Sequence, residues 1–365
     1  MGEKTKIVYS EPADYFPEET RRKYRLGEYS EILSILDIKA VMLGHAVGDA
    51  LGVPVEFCSR EELDAQPVTD MMGWGSYPVP EGCWSDDTSM ALATLDSLKK
   101  GRVDYNEIMD NFVMWLSNDD YTPTGEAFDV GRTCLTAIRN YCRKDAPPAL
   151  ECGLTDEFSN GNGSLMRIHP AVLFLYNYKD KNKAIEIIHN ISSITHAHKR
   201  SKIACGIYAF LLWELLSGDR RFGDKATIRR GISKARKYYA NNPEFEYYAS
   251  RLCRQIADID HIWEDPDNYK RAERDDIRST GYVVDTLEAA VWCLITTNSY
   301  KDCVLKAVNL GDDTDTVAAI AGGLAGALYG LDAIPIDWLE KLKKKDYIEK
   351  MCEEAFEKWQ ACDAN

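Results

Sequence analysis

From Ile38 onward apolar residues return every third or fourth position. Ile38, Val41, Met42 and Ala46 share one side of a segment that Gly52 and Pro54 bring to a stop. The same spacing predicts helices over 38–51, 87–100, 105–117, 131–142, 182–191, 199–216, 226–240, 245–260, 285–296, 301–308 and 315–329. Two-residue alternation, the mark of a half-buried strand, is nearly absent. Long helices joined by Gly-, Pro- and Asn-containing loops, with no repeat or low-complexity linker, predict one all-α domain over 37–345. Residues 1–36 are polar and read as a helical lead-in outside the core, and 346–365 as a C-terminal helix or tail. The stretch 218–281, with GDRRFGDK and WEDPDNYKRAERDD, reads as a charged surface excursion.

Charge narrows the partners. Of 365 residues, 59 are Asp or Glu and 44 Lys or Arg, a net charge of −15. Such a surface repels nucleic acid and anionic membranes, so a bound phosphate is expected to meet backbone N–H groups or metal ions. The 11 cysteines are scattered singly with no CxxC pair. Together with the lack of a signal-peptide pattern at MGEKTKIVYSEP, they predict reduced thiols in a cytoplasmic protein. The apolar stretches read as too short and too interrupted for a membrane span.

The chemistry concentrates at two predicted helix starts. In CWSDDTSMALATLDSL, Ser85, Asp86 and Asp87 precede a helix whose Ala91, Leu95 and Leu98 face the core. A helix cap explains one such residue, since a side-chain oxygen there satisfies free N–H groups. In NLGDDTDTVAAIAGGLAGALYG, Asp312, Asp313, Asp315 and Thr316 repeat the arrangement. One cap needs one acceptor, and crowded carboxylates in a dry site are costly without a cation. Carboxylates and hydroxyls with no paired His or Cys favour Mg2+ or Mn2+ over zinc. The Ala- and Gly-rich helix that follows (318–327) is suited to close packing against a neighbour.

These segments resemble the ADP-ribosylglycohydrolase family. The resemblance spans about residues 38–340 and rests on GHAVGDALGVPVEF (44–57), WSDDTSMAL (84–92), FDVGRTC (128–134), GNGSLMRIHP (161–170), ITHAH (194–198), GYVVDTLEAAVW (281–292) and NLGDDTDTVAAIAGGLAGA (309–327). It implies an orthogonal helical bundle with a dinuclear metal centre, two Mg2+ or alternatively Mn2+, held by Ser85, Asp86, Asp87, Asp313, Asp315 and Thr316. Glu56 is placed close to the metals as ligand, gate or proton-transfer group, and Asp313 is the second acid with a catalytic part. Ser85 stands where many relatives have Thr and keeps the hydroxyl; Asp312 occupies a position that is often Gly and reads as solvated. Asp49, inside the GDALG helix, reads as a structural hydrogen-bond acceptor.

Substrate contacts follow from the same resemblance and from backbone freedom. In SNGNGSLMR the two glycines let N–H groups approach a diphosphate or ribose, making Asn162, Gly163, Ser164 and Met166 candidate contacts. Gly131 and Thr133 are candidates in the preceding loop, where Arg132 replaces a commoner small polar residue. His196 is implied to line the cleft and meet the ribose; His198, two residues on, is taken to point elsewhere, so no histidine metal site is expected. Asp129 reads either as a reader of a guanidinium leaving group or as a helix-start cap. The implied reaction is hydrolysis of an ADP-ribosyl glycosidic bond, in a modified protein or small molecule, through an oxocarbenium-like state, with ADP-ribose as product. An arginine N-glycosidic linkage is favoured over a serine O-glycosidic one. The competing readings are an inactive ADP-ribose-binding or structural family member and, more distantly, a Mg2+-dependent phosphohydrolase without a Walker loop.

Overall fold

The computed structural model describes residues 33–217, 225–255 and 272–363; the predicted lead-in over 1–36 lies almost wholly outside them, as does the end of the helix predicted over 245–260. Among the described residues there are fifteen α-helices and no strand. They are α1 (Ile35–Gly52), α2 (Arg60–Ala65), α3 (Asp86–Leu98), α4 (Tyr105–Asn118), α5 (Arg132–Tyr141), α6 (His169–Phe174), α7 (Lys181–Ser193), α8 (Lys199–Ser217), α9 (Ala226–Tyr239), α10 (Glu246–Gln255), α11 (Val283–Ile295), α12 (Tyr300–Val308), α13 (Thr314–Tyr329), α14 (Ile336–Lys341) and α15 (Lys345–Asp363). The periodicity predicted the long ones within a few residues. It passed over α2, α6 and α14, each only six residues and too short to show a repeat.

The helix pair that organises the site is α1 with α13. A Cβ placed on Gly44 would lie 2.6 Å from the carbonyl oxygen of Gly322, on Gly48 2.1 Å from that of Ala318, and on Gly326 2.0 Å from that of Ala40. One number rises by four as the other falls by four, so the helices run antiparallel with one close contact per turn. Small residues on both faces let the backbones meet, as the Ala/Gly composition of 318–327 predicts. The seam ends where a Cβ on Gly52 would fall 2.3 Å from Cα of Asp315. The C-terminal end of α1 and the N-terminal end of α13 therefore meet, and Thr314 Oγ1 donates to the Gly52 carbonyl at 2.8 Å.

Two expectations need correction. The stretch 218–281 is no surface excursion where it is described: Ile228, Ile232, Ala235 and Tyr239 of α9 are core residues, and Gly231 lets α9 lie against Leu211 of α8. Its charges occupy the outer face of an amphipathic helix, and composition averages over both faces. The segment Ile35–Val55 is also long and apolar enough to cross a membrane by length and composition, contrary to the reading above, but 94% of its apolar window is buried within the protein. It is the central core helix. The nine described cysteines with placed side chains are all unpaired.

Candidate active site

At the start of α3 the cap is supplied from another helix. The Asp49 carboxylate of α1 accepts from the Ser85 N–H at 2.8 Å, the Thr88 N–H at 3.0 Å and the Thr88 hydroxyl at 2.6 Å. Asp49 is fully buried, and burial lifts its carboxyl to about 6 against the pull of these donors. Ser85 adds its own hydroxyl as acceptor for the Asp87 N–H at 3.3 Å. With the helix end satisfied in this way, the Asp86 and Asp87 carboxylates are free to face outward from α3. Asp86 lies near the backbone of Gly131 at the start of α5, which brings a third helix to the site.

At the start of α13, Asp313 occupies the cap position without a capping bond of its own. Its Oδ2 instead accepts from Asn162 Nδ2 at 2.8 Å, and the same amide donates to Thr286 Oγ1 at 3.0 Å. Asp315 accepts from the Thr316 N–H through Oδ1, and Thr316 Oγ1 donates to Asp87 Oδ1 at 3.3 Å, linking the two acidic helix starts. Glu56 comes into register through a small backbone ladder. The Phe57 N–H donates to the Asp312 carbonyl at 2.7 Å and the Asp312 N–H to the Cys58 carbonyl at 2.8 Å. Asp312 has φ 66°, a left-handed conformation in which Asp and Asn are tolerated best after Gly, and its side chain is exposed.

Carboxylate oxygens of Glu56, Asp129 and Asp315 lie within 4.8 Å of one another. Glu56 Oε2, Asp87 Oδ2 and Asp315 Oδ2 are buried, and no donor reaches them. Burial, followed by the charges of Asp129 and Asp313, raises the Glu56 carboxyl to about 9. Asp86, Asp87 and Asp315 are driven well above the ordinary carboxylate range by burial and then by the charges of neighbouring acids, Asp129 among them in each case. Six acids cannot all ionise here unaided. Either protons or cations must compensate them, and an all-oxygen donor set with orphaned lone pairs suits a hard divalent cation. The Tyr77 hydroxyl lies near Glu56 and Asp129, and its ring packs 5.0 Å from Phe128.

These acids form the floor of a cleft of about 280 Å³. One wall is the 161–163 loop, held against 281–283 by paired backbone bonds: Asn162 N–H to the Gly281 carbonyl and Val283 N–H to the Asn160 carbonyl, each 3.0 Å. His196 sits in a second short bridge, between Leu154 N–H and the Thr195 carbonyl at 3.0 Å and Ala197 N–H and the Leu154 carbonyl at 2.8 Å. Phe158, 89% exposed, stands at the rim. Acidic floor, glycine-rich wall and aromatic rim together suit a sugar linked to phosphate and a flat ring.

A sequence model of the ADP-ribosylglycohydrolase family matches residues 36–365. The chain belongs to the ADP-ribosylglycohydrolase family. It is 34% identical over 319 residues to the ADP-ribosylarginine hydrolase Tri1 of Serratia proteamaculans, covering 87% of this chain and 78% of that protein. It is 33% identical over 306 residues to the ADP-ribosyl-(dinitrogen reductase) glycohydrolase of Rhodospirillum rubrum, covering 83% and 89%. A solved ADP-ribosylglycohydrolase-related protein complex superposes with TM-score 0.68 at 29% identity, covering 88% of this chain and 98% of that one. As a member of the family the protein is an ADP-ribosylhydrolase with an all-α fold.

In this ADP-ribosylglycohydrolase the acids Glu56, Asp86, Asp87, Asp129 and Asp313 line the cleft with Thr316. Gly131, Thr133, Asn162, Gly163, Met166 and His196 line it too. Asp315 and Ser85 lie just beneath, 1% and 2% exposed. Ser164 is the departure: its hydroxyl accepts from Ser192 Oγ at 2.9 Å and faces Cys205 in the core, because the turn after Gly163 directs it inward. Asp129 is no helix cap, since the cap position of α5 is Gly131; at φ 53° its carboxylate joins Glu56 and Asp315. The segment 195–198 is not helical: His196 is buried against the glycine loop, while His198 is half-buried and its Nδ1 accepts from the Arg200 N–H near the start of α8. Sequence reasoning missed Tyr77, Cys134, Phe158 and Gly281 as neighbours of the acids. Of these only Phe158, an aromatic next to a glycine loop, left a readable signal.

Proposed function

We propose that this hydrolase removes ADP-ribose from arginine side chains of modified proteins, using two divalent cations, most simply Mg2+ or Mn2+. The observation that carries the reading is the set of buried carboxylate oxygens on Glu56, Asp87 and Asp315 that no protein donor satisfies, at the floor of a cleft walled by a glycine loop. Asp86, Asp87, Asp313, Asp315 and Thr316, with Ser85 beneath, would hold the cations, with Glu56 and Asp129 beside them. Bound there, divalent cations supply fixed positive charge and Lewis-acid polarisation.

The chain's own groups do the rest. Glu56, with Asp129 beside it and the Tyr77 hydroxyl nearby, would carry the proton between water and the leaving group. The anionic floor stabilises positive charge as it develops on the sugar. Gly161 and Gly163 leave the wall open to a diphosphate, and His196 presents an edge to the ribose. Arginine is favoured because relatives at 33–34% identity carry names that describe arginine- or dinitrogen-reductase-linked ADP-ribose. The Asp129 carboxylate is also suited to a guanidinium.

The test is ADP-ribose release from matched arginine- and serine-linked ADP-ribosyl peptides, with Mg2+, with Mn2+ and with EDTA. Release from the arginine peptide that EDTA abolishes, and that Asp313→Ala and Asp315→Ala each reduce at least about 100-fold, is expected. Undiminished turnover after exhaustive chelation would overturn the metal assignment. Preference for the serine peptide would overturn the linkage.

A further inference from the structure

Arg167 is fully buried and has no carboxylate partner among the described residues. Its Nε and Nη1 meet no acceptor, and its charge lies over the Phe112 ring at 4.7 Å. Taking a guanidinium out of water costs several kcal/mol, and a methionine would fill the same space without that cost. Stability alone does not account for it. Its Nη2 donates to the Ile191 carbonyl at 3.3 Å and, more closely, to Thr195 Oγ1 at 2.7 Å. Thr195 Oγ1 in turn lies 2.8 Å from His196 Nδ1.

Hydrogen-bond direction follows from counting protons. The threonine hydroxyl has one hydrogen and two lone pairs, and the guanidinium, which can only donate, takes one lone pair. The Thr195 proton then goes to His196 Nδ1 or to the nearby Cys134 sulfur. An imidazole nitrogen is the better acceptor by far. His196 is neutral, since burial and then the Arg167 charge lower its imidazole to about 3, so it carries a single N–H. With Nδ1 accepting, that hydrogen is on Nε2. The Nε2 edge faces the glycine loop: a Cβ at Gly161 would be 3.6 Å from Nε2, and one at Gly163 3.4 Å from Nε2 and 2.9 Å from Cε1. The glycines leave this donor uncovered on the cleft side.

We propose that Arg167 is a positioning residue: through the Thr195 hydroxyl it holds His196 as the Nε2–H tautomer, a fixed donor aimed into the cleft. The ligand oxygen that receives the bond belongs to the ADP-ribosyl group, and in naming that ligand the proposal rests on the function proposed above. The tautomer itself does not depend on it. A pre-set donor avoids the cost of reorganising the ring when ligand arrives.

The protein has six histidines, so nitrogen-15 labelling of histidine and two-dimensional proton–nitrogen NMR can resolve His196, assigned by its loss in His196→Gln. In the metal-free, ligand-free protein His196 is expected as Nε2–H alone. Thr195→Val and Arg167→Met should give mixed tautomers and about tenfold weaker ADP-ribose binding, while Thr195→Ser should restore both. A wild-type His196 in the Nδ1–H form overturns the proposal, as does Thr195→Val with an unchanged tautomer and unchanged affinity. Should either variant fail to fold, the wild-type tautomer and the serine rescue still decide. If His196 is Nε2–H but ADP-ribose does not bind the wild-type protein, the reading of the cleft fails and the relay stands.

Discussion

Asp49 illustrates how a carboxylate in an acidic site can do structural work. Removing it would leave the Ser85 and Thr88 N–H groups and the Thr88 hydroxyl buried without an acceptor, each at a cost of about 1–3 kcal/mol, offset in part by relief of a buried charge. Asp49→Ala is therefore expected to lower the unfolding free energy by about 2–4 kcal/mol in urea titration. Asp49→Asn should cost less, because one amide oxygen still accepts. Asp315→Asn should behave oppositely in the metal-free protein: it removes a carboxyl that burial and its neighbours force to take up a proton on folding, so activity is lost while thermal stability near neutral pH rises. A fall in melting temperature for metal-free Asp315→Asn would contradict that account of the floor.

The same acids set a pH dependence with a definite sign. Glu56 has its carboxyl raised from 4.5 to about 9, and Asp86, Asp87 and Asp315 move in the same direction. The folded chain then binds more protons than the unfolded chain, so their contribution is fully present below the unfolded values and lost as pH rises through the folded ones. The metal-free protein is expected to melt at progressively lower temperature between about pH 5 and pH 9. Saturating Mg2+ or Mn2+ should flatten the slope, because a cation replaces the protons. A metal-free melting temperature that climbs across this window would show the floor to be ionised and otherwise compensated.

At the scale of elements, the antiparallel seam between α1 and α13 is what brings Glu56 to Asp315. Gly48 has the Ala318 carbonyl 2.1 Å from where a Cβ would be, and both partners are backbone with nowhere to move. Gly48→Ala should destabilise by about 2–3 kcal/mol or more and weaken metal binding through the shifted register. Gly131 has nothing within 4 Å of its Cβ position and an ordinary φ of −57°, so Gly131→Ala should leave stability within about 1 kcal/mol. Chemical denaturation of the pair checks the contrast. The loops depend on elements too. Arg60 of α2 donates to the carbonyls of Leu310, Arg274 and Ile277, at 2.9, 2.8 and 2.7 Å, and so anchors the segments leading to Gly281 and Asp313.

For the whole molecule, the site is where several distant stretches converge on one anionic floor, and a net charge of −15 adds to the attraction of divalent cations. A cation that binds only the folded state at about 100 times its Kd stabilises by about 2.7 kcal/mol, so scanning calorimetry should show a clear rise in melting temperature with Mn2+ that EDTA reverses. The helices, the acidic clusters and the small-residue stripe were legible in the chain because each is a local pattern: a period of 3.6, a run of Asp with Ser or Thr, a run of Ala with Gly. Asp49 as an acceptor and α13 as a tightly packed helix also follow from their immediate neighbours. What local pattern cannot carry is direction and company. That Ser164 turns inward, that Asp129 leaves the helix start to join Glu56, that Tyr77 comes near those two acids, and that Arg167 reaches His196 through Thr195 all depend on which backbones lie opposite. The sequence by itself determined the family, the helices and the oxygen-rich chemistry of the site, because these reside in residue type and spacing. Only the tertiary structure decided which oxygens remain unpaired and which way each donor points, because a hydrogen bond between residues far apart in the chain exists only once their helices have packed.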